Sequence, residues 1–249
     1  MRAVLPAFAA ATLFATFAAA NAAPVYNYSV TLSPENNSGV TGSATMVLDG
    51  NLLTMSLTAN GLTPNEAHPA HLHGLLGDAA PNTQPAPPTA DRDGDGFVES
   101  MEGAAFAGPP IFGTPAVVNP LTYATASAAG SISYTQTYDV TDTSLYDPDR
   151  MGLTLTPNDI LGLTGGNTVP LVDRLLELHG ATVPAGVGAG TPYEVNGSGG
   201  YVMMLPVAGG RITLTGVTDG AANVPEPGTL ALLGTGLVGL LAAARRRAA

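Results

Sequence analysis

Apolar residues recur at every second position through most of residues 23–222, and Gly, Pro, Asn and Asp interrupt the pattern every several residues. The clearest example is a pair of alternating runs, 44–48 and 53–57, on either side of Asp49-Gly50-Asn51. Period two places alternate side chains on one face of a strand, and Asp-Gly or Gly-Asn favours a tight hairpin turn. Both turns keep the two apolar sets on the same face. The sequence therefore predicts a hairpin with one buried face, whose register stays open between these two turns.

The same alternation predicts further short strands, each bounded by turn residues. Residues 172–178 fit either a strand or a helix, and the brevity of the run favours a strand. Ala208-Gly209-Gly210 is expected to form the turn between the last two strands. The short strands together indicate an all-β fold, an antiparallel β-sandwich or barrel of the Greek-key type. The further predicted strands are 26–32, 131–140, 175–179, 201–206 and 211–217.

Residues 91–102 read Asp-Arg-Asp-Gly-Asp-Gly-Phe-Val-Glu-Ser-Met-Glu and place oxygen ligands at the positions that a calcium-binding loop uses. Gly96 stands where such a loop turns sharply and a Cβ would clash. A solvated acidic loop is the alternative, but it has no need for this Gly together with a Glu at the last position. The predicted ligands are the carboxylates of Asp91, Asp93 and Asp95, the Phe97 carbonyl, Glu99 directly or through water, and a bidentate Glu102.

The calcium loop lies within a Pro-rich insertion, residues 78–110. Pro85, Pro87 and Pro88 exclude a helix before the loop, and Pro109-Pro110 stops any helix after it early. Sensor EF-hands need a helix pair that opens when calcium binds. The loop is therefore predicted to be a static calcium clasp, not a switch.

Three histidines stand close together in Ala67-His68-Pro69-Ala70-His71-Leu72-His73-Gly74, and the fourth is His179. On a strand, His71 and His73 project from the same face, and His179 on another predicted strand supplies a third imidazole. Three imidazoles suit Zn²⁺ or Cu²⁺. The alternative is a structural pair of histidines that hydrogen-bond to a loop. No Ser/His/Asp or Cys/His nucleophile arrangement is recoverable, so no catalytic residue is predicted.

Both ends of the chain carry processing signals. Arg2 precedes an apolar run that ends at Ala20-Asn21-Ala22, the small-x-small pattern of a signal-peptidase site, so residues 1–22 are predicted to be a cleaved signal helix. Near the other end, Pro225-Glu226-Pro227 precedes an apolar segment, 229–244, and an Arg cluster. This segment spans only about 24 Å as a helix, so it is predicted to be a marginal transmembrane helix.

Residues 223–249 resemble the PEP-CTERM sorting signal of Gram-negative bacteria, because Pro-Glu-Pro, an apolar segment and an Arg cluster occur together. The resemblance implies export and processing by an exosortase near the Pro-Glu-Pro. The apolar segment implies attachment to the membrane, transient or stable. The protein is therefore expected in the Gram-negative cell envelope, at the cell surface or in the extracellular matrix.

One domain, residues 23–222, is predicted between the two signals. The chain has a net charge of −11 and contains no cysteine. Nucleic acid is excluded as a partner, because phosphate binding needs clustered cations. An exported domain without cysteine relies on its core and on metal ions instead of disulfides.

Several segments resemble the CHRD (chordin-repeat-like) domain of exported bacterial proteins. They are 26–32, Gly42-Ser43-Ala44, 53–62, the Ala-His-x-x-His-x-His-Gly segment at 67–74, Leu178-His179-Gly180 and 205–208. A subset of that family inserts an Asp-rich loop after the His segment, although relatives often carry a Cys near the insertion and this chain has none. The resemblance implies a β-sandwich-like domain and no assigned catalytic residues.

These observations predict an exported, non-enzymatic calcium-binding protein of the cell surface or extracellular matrix. An exopolysaccharide or another cell-surface polymer is a candidate partner. The alternative is a copper/zinc metalloprotein with superoxide-dismutase-like chemistry at His71, His73 and His179, which are distantly similar to the histidines of copper/zinc superoxide dismutases.

Overall fold

The computed structural model describes residues 23–146, 154–164 and 166–220. The predicted signal helix, 1–22, and the predicted transmembrane segment, 229–244, lie outside these residues. Within the described ranges, no helix is long and apolar enough to cross a membrane. Residues Pro24–Thr218 form one compact unit.

Strands make up most of the described structure, and its helices are short. The strands are β1 (Pro24–Pro34), β2 (Thr41–Asp49), β3 (Leu52–Asn60), β4 (Ala67–His68), β5 (Ala70–His73), β6 (Pro110–Gly113), β7 (Ala124–Thr125), β8 (Ser131–Asp139), β9 (Leu175–Val183), β10 (Gly200–Arg211) and β11 (Thr213–Asp219). The α-helices are α1 (Ser100–Ala107) and α2 (Pro157–Leu161), and 3₁₀ turns lie at Gly77–Asn82, Pro88–Ala90 and Thr143–Leu145.

One curled sheet carries most of these strands, in the order β6-β5-β9-β10-β1-β2-β3-β8, with β11 also paired to β1. Neighbouring strands along this order run antiparallel. β1 pairs with β2 over most of its length but meets β10 only at Ser33 and Pro34, so the sheet bends over at the end of β1. β4 and β7 form a separate two-stranded sheet. The prediction of an antiparallel all-β fold is confirmed, in the form of a curled sheet.

The hydrophobic core receives side chains from both halves of the sheet. Met46 and Met55 come from β2 and β3, and Leu72 and Leu178 come from β5 and β9. Burying a side chain of this size contributes about 1.5–3 kcal/mol. Because β5 and β9 turn these leucines toward the core, their alternate residues project from the opposite face of the sheet.

The β2–β3 hairpin has the register that the sequence left open. Asp49 pairs with Leu52, so Gly50 and Asn51 form the two-residue loop. Gly50 has a positive φ of 58°, which glycine adopts without steric cost. The predicted strand at 175–179 is also confirmed, as part of β9.

The expectation of a turn at Ala208-Gly209-Gly210 is wrong, because β10 continues straight through these residues. The two glycines serve a close approach instead. A Cβ on Gly209 would lie 2.8 Å from Oε1 of Glu35, and a Cβ on Gly210 would overlap the carbonyl oxygen of Thr31. They therefore allow the end of β1 and the residue after it to cross directly over β10.

Candidate metal centres

β5 and β9 bring the three predicted histidine ligands together. In the pairing of these strands, His71 lies opposite Glu177. His73 follows two residues after His71, and His179 follows two residues after Glu177, so all four side chains share one face of the sheet. They are between 0% and 3% exposed, so bulk water does not solvate them.

The polar atoms of these side chains lie close together. Each histidine offers one ring nitrogen within 4.8 Å of those of the other two. Nε2 of His73 lies 3.3 Å from Nε2 of His179. Oε2 of Glu177 lies 3.2 Å from Nε2 of His73 and 3.5 Å from Nε2 of His179. On the far side of the cluster, Nε2 of His71 lies 3.0 Å from the hydroxyl of Tyr123.

Backbone carbonyls fix the tautomers of two of these histidines. Nδ1 of His73 donates to the carbonyl oxygen of Gly108 at 3.1 Å, and Nδ1 of His179 donates to that of Met204 at 2.9 Å. A carbonyl oxygen only accepts, so each Nδ1 must carry a proton. In the neutral rings, both Nε2 atoms then present lone pairs to the centre of the cluster. Metal-binding histidines are commonly held by their second ring nitrogen in this way.

The Gly108 carbonyl reaches His73 because two stretches of backbone meet closely. Gly108 ends α1 with a φ of 77°, and a Cβ at this position would overlap the backbone of Gly74. Only glycine fits both the conformation and the contact. The C-terminal side of the insertion is thereby seated on the strand that carries the histidines.

A second buried carboxyl, that of Glu35, lies beside this cluster, since a Cβ on Gly209, which pairs with Glu177, would lie 2.8 Å from Oε1 of Glu35. Burial raises the pKa of both carboxyls. The neighbouring Glu177 carboxyl raises the pKa of Glu35 further, to about 9. Glu35 is therefore the more easily protonated of the two carboxyls.

His68 does not join the cluster. Its ring nitrogens lie 2.9 Å from the carbonyl oxygens of His179 and Thr63. These contacts tie β4 to β9 and give His68 a structural role.

The predicted calcium ligands of residues 91–102 also converge. Their carboxylates form two groups, each with ligand atoms within 4.8 Å of one another, and both groups contain Asp93. The first group is Asp91, Asp93 and Glu102, and the second is Asp93, Asp95 and Glu99.

Three carboxylate oxygens of this loop are buried and accept no hydrogen bond within the described part of the chain. They are Oδ2 of Asp93, Oδ2 of Asp95 and Oε2 of Glu99. Glu99 is 0% exposed, and burial, followed by the neighbouring Glu102 carboxyl, raises its pKa. Burial also raises the pKa of Asp95. A buried carboxylate is costly unless a cation or a donor compensates it, so these oxygens fit a cation at their meeting point.

Backbone N–H groups shape the N-terminal part of the loop. Asp91 accepts hydrogen bonds from the N–H groups of Gly94 at 2.7 Å and Gly96 at 3.0 Å. Gly96 has a φ of 94°, a conformation that a residue with a Cβ rarely adopts. These bonds turn the chain around the carboxylates.

The middle of the loop is fixed to the sheet at Phe97 and Val98. The Phe97 side chain packs on a small hydrophobic cluster that includes Val195 and Leu205. Asn36, just after β1, accepts from the N–H of Val98 at 2.7 Å and donates to its carbonyl at 2.9 Å. The loop is therefore held to β1 and β10 beside the histidine cluster.

No α-helix precedes the loop in residues 77–99, in agreement with the prediction, whereas α1 follows it for eight residues and ends before Pro109. Glu102 lies in the first turn of α1 and is buried. Its carboxylate accepts from the N–H groups of Arg92 at 2.7 Å and Glu99 at 3.2 Å. Each carboxylate oxygen has further lone pairs, so these bonds leave room for a cation.

A cavity of about 450 Å³ lies between the two candidate centres. His73, Glu177 and Glu35 line it on the side of the histidine cluster. Asp91 and Val98 line it on the side of the calcium loop. The two centres therefore face a common space.

Sequence reasoning missed Glu177 and Glu35. Glu177 had a usable signal, since it stands two residues before His179 on a predicted strand and so shares its face. Glu35 had none, because its contact with Glu177 depends on how the end of β1 crosses β10.

Comparison with known proteins identifies one segment. Residues 223–247 match the PEP-CTERM protein-sorting motif, within the predicted sorting signal and outside the residues that the structure describes. No curated protein matches the chain. The motif indicates an exported protein that is sorted to the cell envelope and processed by an exosortase-type system.

Proposed function

We propose that this exported chain is a non-enzymatic calcium-binding protein of the cell surface or extracellular matrix. Ca²⁺ binds the loop 91–102 and fixes the Pro-rich insertion against the sheet. The observation that carries the proposal is the set of three buried carboxylate oxygens, from Asp93, Asp95 and Glu99, that accept no hydrogen bond within the described residues.

The physical reason is electrostatic. Several carboxylates crowd into one loop, and their mutual repulsion and desolvation destabilise the folded loop unless a cation compensates them. Ca²⁺ is a hard cation that takes carboxylate, carbonyl and water oxygens in a flexible geometry, which suits a ligand set of this kind. Calcium is abundant outside cells, where the sorting motif sends the chain.

Isothermal titration of the chelator-treated chain with Ca²⁺ tests this proposal. We expect one site at about 10⁻⁴–10⁻³ M, the range of extracellular calcium modules. We expect Asp95→Asn to weaken it strongly, because this change removes one of the buried carboxylate charges. The absence of any binding heat with the wild-type chain at millimolar Ca²⁺, together with an unchanged melting temperature, would contradict the proposal.

A second proposal concerns His71, His73 and His179, which we infer bind Zn²⁺ or Cu²⁺. It is supported by the two fixed tautomers, which direct the Nε2 lone pairs of His73 and His179 at each other across 3.3 Å. Elemental analysis of the chain after dialysis against each metal measures the stoichiometry. We expect one metal ion in the wild-type chain and a loss of that ion in His73→Ala.

The charges around the histidines disfavour superoxide-dismutase-like chemistry. Superoxide is an anion, and the acidic residues Glu177 and Asp91 line the cavity beside the histidines. The chain also carries a net charge of −11, which lowers the local concentration of anions.

The resemblance to CHRD domains and a cell-surface polymer as partner both remain predictions. Calcium that is partly coordinated by the loop offers a way to bridge the acidic surface to an anionic exopolysaccharide. Co-sedimentation of the chain with such a polymer, in calcium and in chelator, separates a bridging role from a purely structural one. Retention in calcium alone would support bridging.

A further inference from the structure

Glu177 is the member of the histidine cluster that the sequence pattern did not include. It lies opposite His71 in the β5–β9 pairing and is 3% exposed. Burying a carboxylate this deeply costs free energy unless it is paired with a cation or coordinates a metal. The side chains closest to its Oε2 include the two histidines with fixed tautomers, His73 and His179.

The distances between these atoms match one face of a tetrahedron. Nε2 of His73, Nε2 of His179 and Oε2 of Glu177 form a triangle with edges of 3.2, 3.3 and 3.5 Å. Zn²⁺ bonds of about 2.0–2.1 Å place tetrahedral ligands about 3.3–3.4 Å apart. A square-planar Cu²⁺ site with bonds of similar length places adjacent ligands only about 2.8–3.0 Å apart. The triangle therefore fits tetrahedral Zn²⁺ better.

The chemistry of the three atoms points the same way. The Nδ1 protons of His73 and His179 are committed to backbone carbonyls, so both Nε2 atoms act as acceptors in the neutral rings. As a carboxylate, Glu177 likewise offers only acceptor lone pairs. Three acceptors at this separation repel one another unless a cation lies among them. A proton bridges one pair of them, whereas a metal ion coordinates all three together with a ring nitrogen of His71.

We propose that Glu177 is the fourth protein ligand of a closed, tetrahedral Zn²⁺ site, together with His71, His73 and His179. This inference rests on the histidine metal centre proposed above. Four protein ligands leave no position for water or substrate, which is the arrangement of structural zinc sites.

The proposed ion joins parts of the fold that are distant in sequence. It links β5 to β9 directly. Through the carbonyls that hold the two histidines, it also links the insertion at Gly108 and strand β10 at Met204. In a chain without cysteine, such a site takes the place of a disulfide crosslink.

The test is the Zn²⁺ affinity of the purified full chain, measured by competition with a chromophoric chelator. Glu177→Gln preserves the shape of the side chain but removes its charge. We expect it to weaken Zn²⁺ binding by about 100-fold or more, beyond the ~10–100-fold effect of losing an outer-shell partner. Glu66→Gln is the matched control, since Glu66 lies outside the cluster, and we expect its affinity to equal that of the wild-type chain.

Cobalt substitution provides a second readout that a merely structural role would not change. Co²⁺ in the wild-type chain is expected to show the intense visible absorption of a four-coordinate tetrahedral ion. In Glu177→Gln we expect this band to shift and weaken. Glu35→Gln changes a carboxyl that lines the same cavity but is not a proposed ligand, so we expect it to keep the tetrahedral spectrum.

The possible results distinguish a failure of Glu177 as a ligand from a failure of the histidine metal centre. If Glu177→Gln binds Zn²⁺ as tightly as the wild-type chain while His73→Ala loses it, the histidine centre stands and Glu177 is not a ligand. If the wild-type chain binds no Zn²⁺, or His73→Ala retains it, both fail. A weak spectrum typical of five- or six-coordinate Co²⁺ in the wild-type chain overturns the closed tetrahedral site.

Discussion

Neutralising one carboxylate of the calcium loop is expected to have opposite effects in the presence and absence of calcium. Asp93 belongs to both carboxylate groups of the loop. Its Oδ1 accepts only a long hydrogen bond of 3.3 Å from the N–H of Asp95, and its Oδ2 is buried without a hydrogen-bond donor in the described structure. Asp93→Asn preserves the size of the side chain and one oxygen but removes the charge.

The size of the calcium effect follows from mass action. For a dissociation constant of about 10⁻⁴–10⁻³ M, about 10 mM Ca²⁺ raises the free energy of unfolding by about 1.4–2.7 kcal/mol. For a unit of the length of Pro24–Thr218, each kcal/mol raises the melting temperature by about 2–4 °C. We therefore expect calcium to raise the wild-type melting temperature by about 3–11 °C, and to raise that of Asp93→Asn by much less.

In chelator, Asp93→Asn is expected to affect the melting temperature in the opposite direction. The wild-type loop then holds its buried carboxylates without a cation, and removing the charge of Asp93 relieves part of their repulsion. We expect the melting temperature of Asp93→Asn in chelator to equal or exceed that of the wild-type chain.

Thermal unfolding followed by circular dichroism in calcium and in chelator measures both effects. Asp78→Asn is the control, because Asp78 is an exposed acid of the same insertion outside the loop, and its melting temperatures are expected to follow those of the wild-type chain. The reasoning is refuted if the wild-type melting temperature is the same in both conditions, or if Asp93→Asn keeps the full calcium-dependent rise.

Three further substitutions probe how the centres are held. Asn36→Ala removes the side chain that hydrogen-bonds to the backbone of Val98 and Pro206. We expect urea unfolding to show a free energy of unfolding lower by about 2 kcal/mol, and calcium titration to show weaker binding. Gly209→Ala places a Cβ against the buried carboxyl of Glu35, and we expect it to lower the free energy of unfolding by about 1–3 kcal/mol. A Cβ on Gly216 meets nothing within 4 Å, so we expect Gly216→Ala to cost far less in the same urea experiment. Arg174→Ala removes a fully buried guanidinium that donates to four backbone carbonyls. We expect it to lower the free energy of unfolding by at least about 3 kcal/mol. An unchanged melting temperature in calorimetry would contradict this role.

The fold was predictable where local pattern decides it. Period-two alternation predicted strands that the structure contains, including the short run that became β9, because side-chain faces follow directly from strand geometry. The register of the hairpin was not predictable, since both turns buried the same residues. The turn expected at Gly209 failed for a different reason. Glycine also permits close backbone crossing, and only the tertiary structure shows that the end of β1 lies over this position.

In the candidate centres, too, local sequence pattern decides some features and long-range packing decides others. The spacing of acids within 91–102 is local, so the sequence alone could group those ligands. The meeting of His71 and His73 with His179 depended on β5 pairing with β9, which the sequence allowed but did not require. The position of Glu35 beside Glu177 depends on long-range packing alone, and no pattern within the sequence predicts it.

Native mass spectrometry of the purified chain tests most directly the claim that metal ions stabilise this cysteine-free domain. After loading with Zn²⁺ and removal of excess zinc, with Ca²⁺ kept at millimolar concentration during the measurement, we predict one calcium and one zinc ion per chain. The calcium ion is expected to be lost in Asp93→Asn and the zinc ion in His73→Ala. A wild-type chain that retains the metal-free mass under these conditions would contradict the account.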